Sequence, residues 1–369
     1  MKKILLLKEV AEYLRTSEDA VMKLLDDNQL AGFKVKNDWR FKEAEIERWI
    51  SHNTVFSKPK TEKVLIIKVG YSETLDPEIN MFTSLGDVLR TTVLLHHYKE
   101  AEVTWLVDKV AYPLLEHNPF IKRLLIYDLT SSLQLRSERF DTIINLEKVP
   151  GLCALSDSIS AWKRFGFRFD EIKGEAEAYD RTEEILSICR IPEMKKSYKN
   201  YWQKALYDIV GATWEKQEYV LGFEPVSKIT YDVGFNYEVG HKWPVKGWPL
   251  KQWKNLEGLM AGKYTITWQS GLNNIKDYIN WINSVKVLIT SDSLGFHLAL
   301  ALKKKVIALF GPTNPDEVYD YDRAIKICPP EEFKCVPCLS PVCKNDRFCM
   351  EYITPSEVQR KLEKLMEGL

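Results

Sequence analysis

The sequence lacks any hydrophobic run of the roughly 18–20 residues that a membrane-spanning helix requires. It also lacks an excess of charge, because 52 Lys and Arg residues balance 52 Asp and Glu residues. This balance removes a general electrostatic attraction to nucleic acid or an anionic membrane, while local basic patches remain open. The apolar stretch at the N-terminus is too short for a secretory signal. We therefore expect a cytoplasmic protein of two or three domains from the length of 369 residues.

Cysteine is sparse except near the C-terminus, where five of the seven cysteines fall. Four of them follow the pattern Cys335-x2-Cys338-x4-Cys343-x5-Cys349. A reducing cytosol disfavours disulfides, so this density favours a metal site, with reduced or disulfide-linked thiols as the alternative. Four thiolates in one loop suit tetrahedral zinc or an iron centre. Because such a closed shell leaves no open coordination position, we expect structural zinc or iron and no catalytic metal.

The first fifty residues have the pattern of a small domain of their own. Two short helices, with Ser17 as the N-cap of the second at 18–28, precede a β-hairpin around Asn37-Asp38 and a third helix at 43–50. This order resembles the winged helix-turn-helix domains of the excisionase and MerR kind, on K-E-V-A-E-Y-L, F-K-V and W-R-F…E-I-E-R-W-I. We assign residues 1–52 to this domain and the polar residues 53–62 to a linker.

From residue 63 onward, apolar strand-like runs alternate with amphipathic helical stretches, as in α/β layer folds. The first series of strands begins at Val64 and the second near Thr230, with a helical middle from about 176 to 211. We therefore predict an α/β fold of two facing Rossmann-like domains, at 63–212 and 213–369.

Two segments carry candidate ligand-binding residues at the ends of predicted parallel strands. Gly86 and Asp87 open a helix after the first strand, although Asp87 taken alone is more often simply an acid of the first helical turn. Asp292 and Ser293 follow the strand at 285–290, where free backbone N–H groups at a helix start can hold phosphate. His297 lies one turn into that helix and fits either packing or ligand contact.

Four motifs, in order along residues 63–369, resemble glycosyltransferase family 9, the ADP-heptose heptosyltransferases. They are S-L-G-D-V-L-R-T-T at 84–92, K-G-W-P at 246–249, D-S-L-G-F-H-L-A at 292–299 and F-G-P-T at 310–313. The segment from Gly70 to Phe82 is longer than in many members. The resemblance implies a GT-B fold and inverting transfer of a heptose from ADP-heptose to an acceptor hydroxyl.

The resemblance also implies roles for individual residues. Asp87 matches the general base, and Lys246 matches a lysine at the donor diphosphate that offsets charge on the leaving ADP. The positions that it places at the donor are Ser84, Gly86, Lys246, Asp292, Ser293, Gly295, His297 and Thr313. For Asp292 we expect a sugar-hydroxyl contact or a capping role, since like charges repel phosphate.

The acceptor is left open between a lipopolysaccharide core sugar and a protein Ser or Thr. The resemblance to autotransporter heptosyltransferases, which modify proteins and have a four-cysteine iron site, and the additional N-terminal domain favour protein. Residues 1–52 contain ten basic and ten acidic residues, and the predicted recognition helix is acidic, so DNA binding is disfavoured. We expect this domain to recognise an acceptor protein or to assemble subunits, for example into a homo-oligomer. The alternatives are a transferase for another nucleotide sugar and a DNA-binding regulator that senses a nucleotide sugar.

Overall fold

The computed structural model describes residues 4–27, 29–53, 61–71, 82–179, 181–270 and 274–368. The chain divides into two compact units, Met1–Thr61 and Glu62–Leu369. In the described ranges no helix is both long and apolar enough to cross a bilayer. Most of the predicted linker at 53–62, and most of the long segment from Gly70 to Phe82, lie outside the described residues.

The first unit is a three-stranded antiparallel sheet with three helices. Its elements are β1 (Ile4–Leu6), α1 (Leu7–Leu14), α2 (Glu18–Asp26), β2 (Phe33–Val35), β3 (Asp38–Lys42) and α3 (Glu43–Asn53). The Ser17 hydroxyl accepts a hydrogen bond from the Ala20 N–H, which caps α2 as the sequence predicts. The sequence reading missed β1, which pairs with β3 and brings Leu5 beside Phe41 in the core of this unit.

The second unit begins with a six-stranded sheet and the helices around it. Its elements are β4 (Lys63–Ile67), α4 (Leu85–Thr91), β5 (Glu102–Val107), α5 (Tyr112–Leu115), β6 (Arg123–Ile126), α6 (Leu129–Arg136), β7 (Arg139–Asn145), α7 (Pro150–Ser158), β8 (Ser160–Asp170), β9 (Glu175–Ala178), α8 (Glu183–Arg190), α9 (Pro192–Ser197) and α10 (Trp202–Val210). The strand order is β6-β5-β4-β7-β8-β9, parallel except for β9.

The strand β9 corrects the prediction of a helical middle that starts near Ala176. Residues 175–178 alternate Glu and Ala, and Ala176 and Ala178 are buried on one face of the strand. This period of two lets the segment pair antiparallel with β8. The helical part of the middle starts at Glu183 instead.

The rest of the unit forms a second, fully parallel sheet. Its elements are β10 (Tyr231–Asn236), α11 (Leu250–Met260), β11 (Ile266–Trp268), α12 (Ile275–Asn283), β12 (Val285–Ser291), α13 (Leu294–Ala301), β13 (Lys305–Leu309), β14 (Ala324–Ile327) and α14 (Pro355–Met366). The strand order is β11-β10-β12-β13-β14. The predicted strand from Tyr264 begins two residues later, at Ile266.

Both sheets have the architecture of Rossmann-like halves, and one apolar core joins them. Residues of α4 such as Val88 and Leu89 and residues of α13 such as Phe296 and Leu298 belong to the same buried cluster. The helices α4 and α13 pack against each other because Gly86 leaves room for His297. A Cβ atom on Gly86 would lie 2.7 Å from Cδ2 of His297, closer than such contacts allow. This contact brings the carboxyl-terminal edges of the two sheets together.

Candidate active site

A cleft of about 260 Å³ lies where the two halves of the second unit meet. The N-terminal half contributes the start of α4, including Ser84, Gly86 and Asp87. The C-terminal half contributes residues of four of its segments, which include Lys246, Asp292, Ser293, His297 and Thr313. The Lys242 ammonium of the C-terminal half donates a hydrogen bond at 2.9 Å to the Phe82 carbonyl of the N-terminal half. Of the predicted donor-binding residues, Gly295 alone is not part of the lining.

Asp87 lies in the first turn of α4, which begins after Ser84. Its carboxylate accepts a hydrogen bond from the Arg90 guanidinium at 2.7 Å. Burial acts to raise the pKa of Asp87, but the positive charges of Arg90, Lys68 and Lys242 outweigh it and hold the pKa well below its ordinary value. The carboxylate is therefore ionised throughout the physiological pH range and presents a hydrogen-bond acceptor to the cleft.

A buried ion pair that the sequence reading missed, Lys68 and Glu147, lies close to Asp87. The two charged groups are 3.5 Å apart and almost fully buried. Glu147 also accepts a hydrogen bond from the Gly70 N–H at 2.8 Å, which fixes the backbone after β4. Burial raises the pKa of Glu147 even though Lys68 acts against it. The sequence could have indicated this pair, since each of the two charged residues follows a buried strand by only one or two positions.

Lys246 and Asp292 form the second charged pair of the cleft. The Lys246 ammonium donates to the Asp292 carboxylate at 2.7 Å, and the Thr313 hydroxyl donates to the same oxygen at 2.7 Å. Burial acts to raise the pKa of Asp292, but the Lys246 charge and these hydrogen bonds lower it overall. The predicted capping role of Asp292 is wrong, because Ser293 occupies the N-cap position of α13. Asp292 instead holds the Lys246 ammonium at the cleft.

The start of α13 combines an open helix end with close packing behind it. The N-cap Ser293 makes no side-chain cap hydrogen bond, and its hydroxyl accepts one from the Asn236 amide at 3.2 Å. The Phe296 N–H donates to the Ser293 carbonyl at 3.1 Å, whereas in the described part of the chain the N–H groups of Leu294 and Gly295 are left for another acceptor. Gly295 is closely packed, since a Cβ there would lie 2.3 Å from the Asn236 amide and 2.5 Å from the Tyr278 hydroxyl. This packing requires glycine at the position, and its predicted contact with the donor stays a prediction.

His297 packs in the core and lines the cleft at the same time. It is only 5% exposed, and its Nδ1 lies 3.2 Å from the Tyr219 hydroxyl. Burial lowers the pKa of His297 to about 4, and the nearby Arg90 charge acts in the same direction. The ring is therefore neutral at physiological pH. No sequence pattern indicated Tyr219 as its partner, which is 78 residues away in the chain.

The four predicted metal ligands do not form a coordination shell. Burial raises the pKa of Cys349 to about 11, and the neighbouring Cys335, Cys338 and Cys343 act in the same direction. Asn345 donates a hydrogen bond to the Cys335 sulfur at 3.3 Å. Within the described ranges, no three His, Cys, Asp or Glu side chains are arranged to hold a metal ion. The donors suit zinc or iron in kind, but their geometry here is not that of a ligand set.

Comparisons of the sequence with known proteins point to two kinds of domain. Residues 270–348 match the model of glycosyltransferase family 9 (heptosyltransferase), and residues 5–54 match that of a helix-turn-helix domain. A curated relative, lipopolysaccharide heptosyltransferase 1 of Pseudomonas aeruginosa, is 27% identical over 165 residues, which cover 34% of this chain. The match spans 46% of that relative, less than half of its length.

Solved structures share the architecture of the second unit at low sequence identity. A glycosyl transferase family 9 protein of Veillonella parvula has a TM-score of 0.58 at 16% identity, covering 84% of this chain and 98% of its own. The E. coli ADP-heptose lipopolysaccharide heptosyltransferase II has a TM-score of 0.58 at 14% identity, covering 83% and 99%. TibC of enterotoxigenic E. coli, an iron-containing dodecameric glycosyltransferase, has a TM-score of 0.52 at 13% identity, covering 84% and 76%. The fold is thus the GT-B architecture that the sequence predicted.

Proposed function

We propose that this chain, in which a glycosyltransferase family 9 (heptosyltransferase) domain follows a helix-turn-helix domain, transfers a heptose from ADP-heptose to an acceptor hydroxyl with inversion. The observation that carries the proposal is the shared cleft. An ionised carboxylate, Asp87, faces it from one half, and the Lys246 ammonium and the open end of α13 face it from the other. This arrangement supplies a proton acceptor and an anion site within one crevice.

In the proposed reaction Asp87 is the general base. The acceptor oxygen attacks the anomeric carbon of the sugar from the face opposite ADP, the bond from that carbon to the diphosphate oxygen breaks, and the acceptor proton passes to Asp87. A carboxylate of low pKa is a weak base for a free hydroxyl. The attacking oxygen becomes strongly acidic as its new bond forms, so the proton transfers late. Arg90 and Lys68 keep the carboxylate ionised until then.

The C-terminal half supports departure of the nucleotide. Negative charge develops on the diphosphate as the bond to the sugar breaks, and fixed positive charge and N–H groups at that place lower the barrier. Asp292, which also accepts a hydrogen bond from the Thr313 hydroxyl, holds Lys246, so that its ammonium is already oriented before the donor binds. The N-terminal end of α13 adds backbone N–H groups and the positive end of the helix dipole.

We further propose that the acceptor is a protein Ser or Thr, with a lipopolysaccharide core sugar as the alternative. The first unit supports a protein partner more than DNA, because the exposed surface of α2 contributes Glu18, Asp19 and Asp26 against the single base Lys23. A structural zinc or iron at Cys335, Cys338, Cys343 and Cys349 remains part of the proposal. If bound, the metal would tie together the loop that follows β14, and it would take no part in transfer.

The proposal is tested with purified protein and a panel of ADP-, UDP- and GDP-sugars, with nucleotide release and thermal shift as readouts. We expect release of ADP from ADP-heptose in preference to the other donors. Asp87→Asn should lower turnover by about 10²- to 10⁴-fold, the range for a positioned general base, with ADP affinity changed less than threefold. Asp208→Asn, which alters a surface ion pair with Lys204, is the control and should not change turnover.

Two results would contradict the proposal. Undiminished turnover by Asp87→Asn would show that Asp87 is not the base, and preference for a UDP- or GDP-sugar would show that the donor is not ADP-heptose.

The alternative function of a DNA-binding regulator is tested with the full chain and duplex DNA. A salt-dependent shift at micromolar protein, lost in Lys34/Lys36/Arg40→Ala, would favour DNA binding by the β2–β3 hairpin.

A further inference from the structure

A chain of buried hydrogen bonds leads from the backbone of Tyr319 to His297. It begins at Gln203 on α10, whose amide makes two bonds to one residue. Gln203 Oε1 accepts from the Tyr319 N–H at 3.2 Å, and Gln203 Nε2 donates to the Tyr319 carbonyl at 2.9 Å. Because a backbone N–H only donates and a carbonyl only accepts, this pair fixes which end of the amide is nitrogen.

The second link is the Tyr219 hydroxyl, which has a donor on one side and a ring nitrogen on the other. Gln203 Nε2 donates to the hydroxyl oxygen at 3.0 Å, and His297 Nδ1 lies 3.2 Å from the same oxygen. Burial raises the pKa of Tyr219 well above its ordinary value, so the hydroxyl keeps its proton. With Gln203 on the donor side, Tyr219 directs its own proton to His297 Nδ1. A buried hydroxyl proton without an acceptor would be costly.

The third link is the imidazole itself. An Nδ1 that accepts a hydrogen bond carries no proton, so in the neutral ring Nε2 carries it. The Nε2 edge is the one next to α4, since a Cβ on Gly86 would lie 3.2 Å from Nε2. His297, a lining residue of the cleft, therefore has a neutral N–H on the α4 side of its ring, within electrostatic range of the Asp87 and Asp292 carboxylates.

We propose that Gln203 and Tyr219 are positioning residues that fix the tautomer of His297, so that its Nε2–H donates a hydrogen bond to an oxygen of the bound nucleotide sugar. The role at the donor depends on the proposed function, whereas the tautomer does not. A neutral donor has an advantage over a protonated imidazole here. An imidazolium would pair with Asp87 or Asp292 and so compete with the acceptor proton or with Lys246.

The tautomer is measured directly by NMR of the full chain with ¹⁵N-labelled histidine side chains. His297→Gln assigns the His297 signals among the six histidines. We expect the wild type at pH 7.5 to have a protonated Nε2 and an unprotonated Nδ1. In Tyr219→Phe, which removes the proton that Nδ1 accepts, we expect a population with protonated Nδ1. The matched control is Tyr207→Phe, which deletes a buried hydroxyl that donates to the Val93 carbonyl at 2.9 Å, and it should leave the His297 signals unchanged.

The same variants are then assayed for ADP release from ADP-heptose. We expect Tyr219→Phe to lower kcat about tenfold with KM within twofold, and Tyr207→Phe to match the wild type. A wild-type ring protonated at Nδ1, or an unchanged His297 spectrum in Tyr219→Phe, would overturn the proposal, and the first of these needs no variant to fold. A wild type that releases no ADP would refute the proposed function, while the spectra would still decide the tautomer.

Discussion

Replacing Lys246 with methionine is the sharpest test of the anion site in the cleft. Methionine keeps much of the apolar stem of lysine and removes the ammonium that donates to Asp292 at 2.7 Å. A hydrogen bond to a charged group contributes about 1.5–3 kcal/mol. If Lys246 makes one such bond to the diphosphate, ADP should bind roughly 10- to 100-fold more weakly, at 1.4 kcal/mol for each factor of ten.

The substitution also affects the free protein. Asp292 would retain the Thr313 hydroxyl but lose its cation, and loss of a hydrogen-bond partner by a largely shielded charged group costs about 1–3 kcal/mol of unfolding free energy. Asp292→Asn in the Lys246→Met background should recover part of that loss, because it removes the uncompensated charge. It should not recover ADP affinity.

The assay is titration calorimetry of ADP at fixed ionic strength, with thermal unfolding of each variant. Lys251→Met, at an exposed position of α11, removes the same charge outside the cleft and is the matched control. Equal losses of ADP affinity in Lys246→Met and Lys251→Met would refute the reasoning, because the effect would then come from net charge. An unchanged affinity in Lys246→Met would show that the ammonium does not contact the diphosphate.

Three further predictions follow from the packing and titration of the second unit. Gly86→Ala places a methyl group 2.7 Å from His297 Cδ2. We expect α4 to shift by about 1 Å in response and ADP release from ADP-heptose to fall about 100-fold, whereas wild-type activity would show that α4 and α13 separate freely. The pKa of His297 falls from 6.5 to about 4 on folding, so between these pH values the unfolded chain binds a proton that the folded chain does not. The free energy of unfolding is therefore unaffected by this group above pH 6.5 and decreases as the pH falls towards 4. Chemical unfolding should show the wild type losing about 3 kcal/mol more than His297→Gln across that interval, and parallel curves would contradict the shift. Purified protein should contain about one zinc or iron atom per chain by elemental analysis, and Cys335→Ser should lose it; a fully folded, metal-free wild type would end the metal hypothesis.

Several features of the fold were accessible from the sequence because they depend on local patterns. The apolar run of β4 and the position of Asp87 in the first turn of α4 follow from neighbouring residues. Ser17 capped α2 as expected, because capping involves only the next three residues. The strand β9 was misread because a four-residue Glu-Ala alternation is too short to outweigh the helix propensity of those residues.

The amino-acid sequence by itself determined which residue types are available at the ends of the strands, and so the chemistry that the two halves can offer. Arg90 lies one turn from Asp87 on the same helix, but only the tertiary structure decided the other partners: Asp292 for Lys246 and Tyr219 for His297. The pairs that join different elements arise from strands and helices that are distant in the chain and meet only when the two sheets pack. Burial then sets their protonation, because the same imidazole that would titrate near neutrality in water remains neutral beside Tyr219.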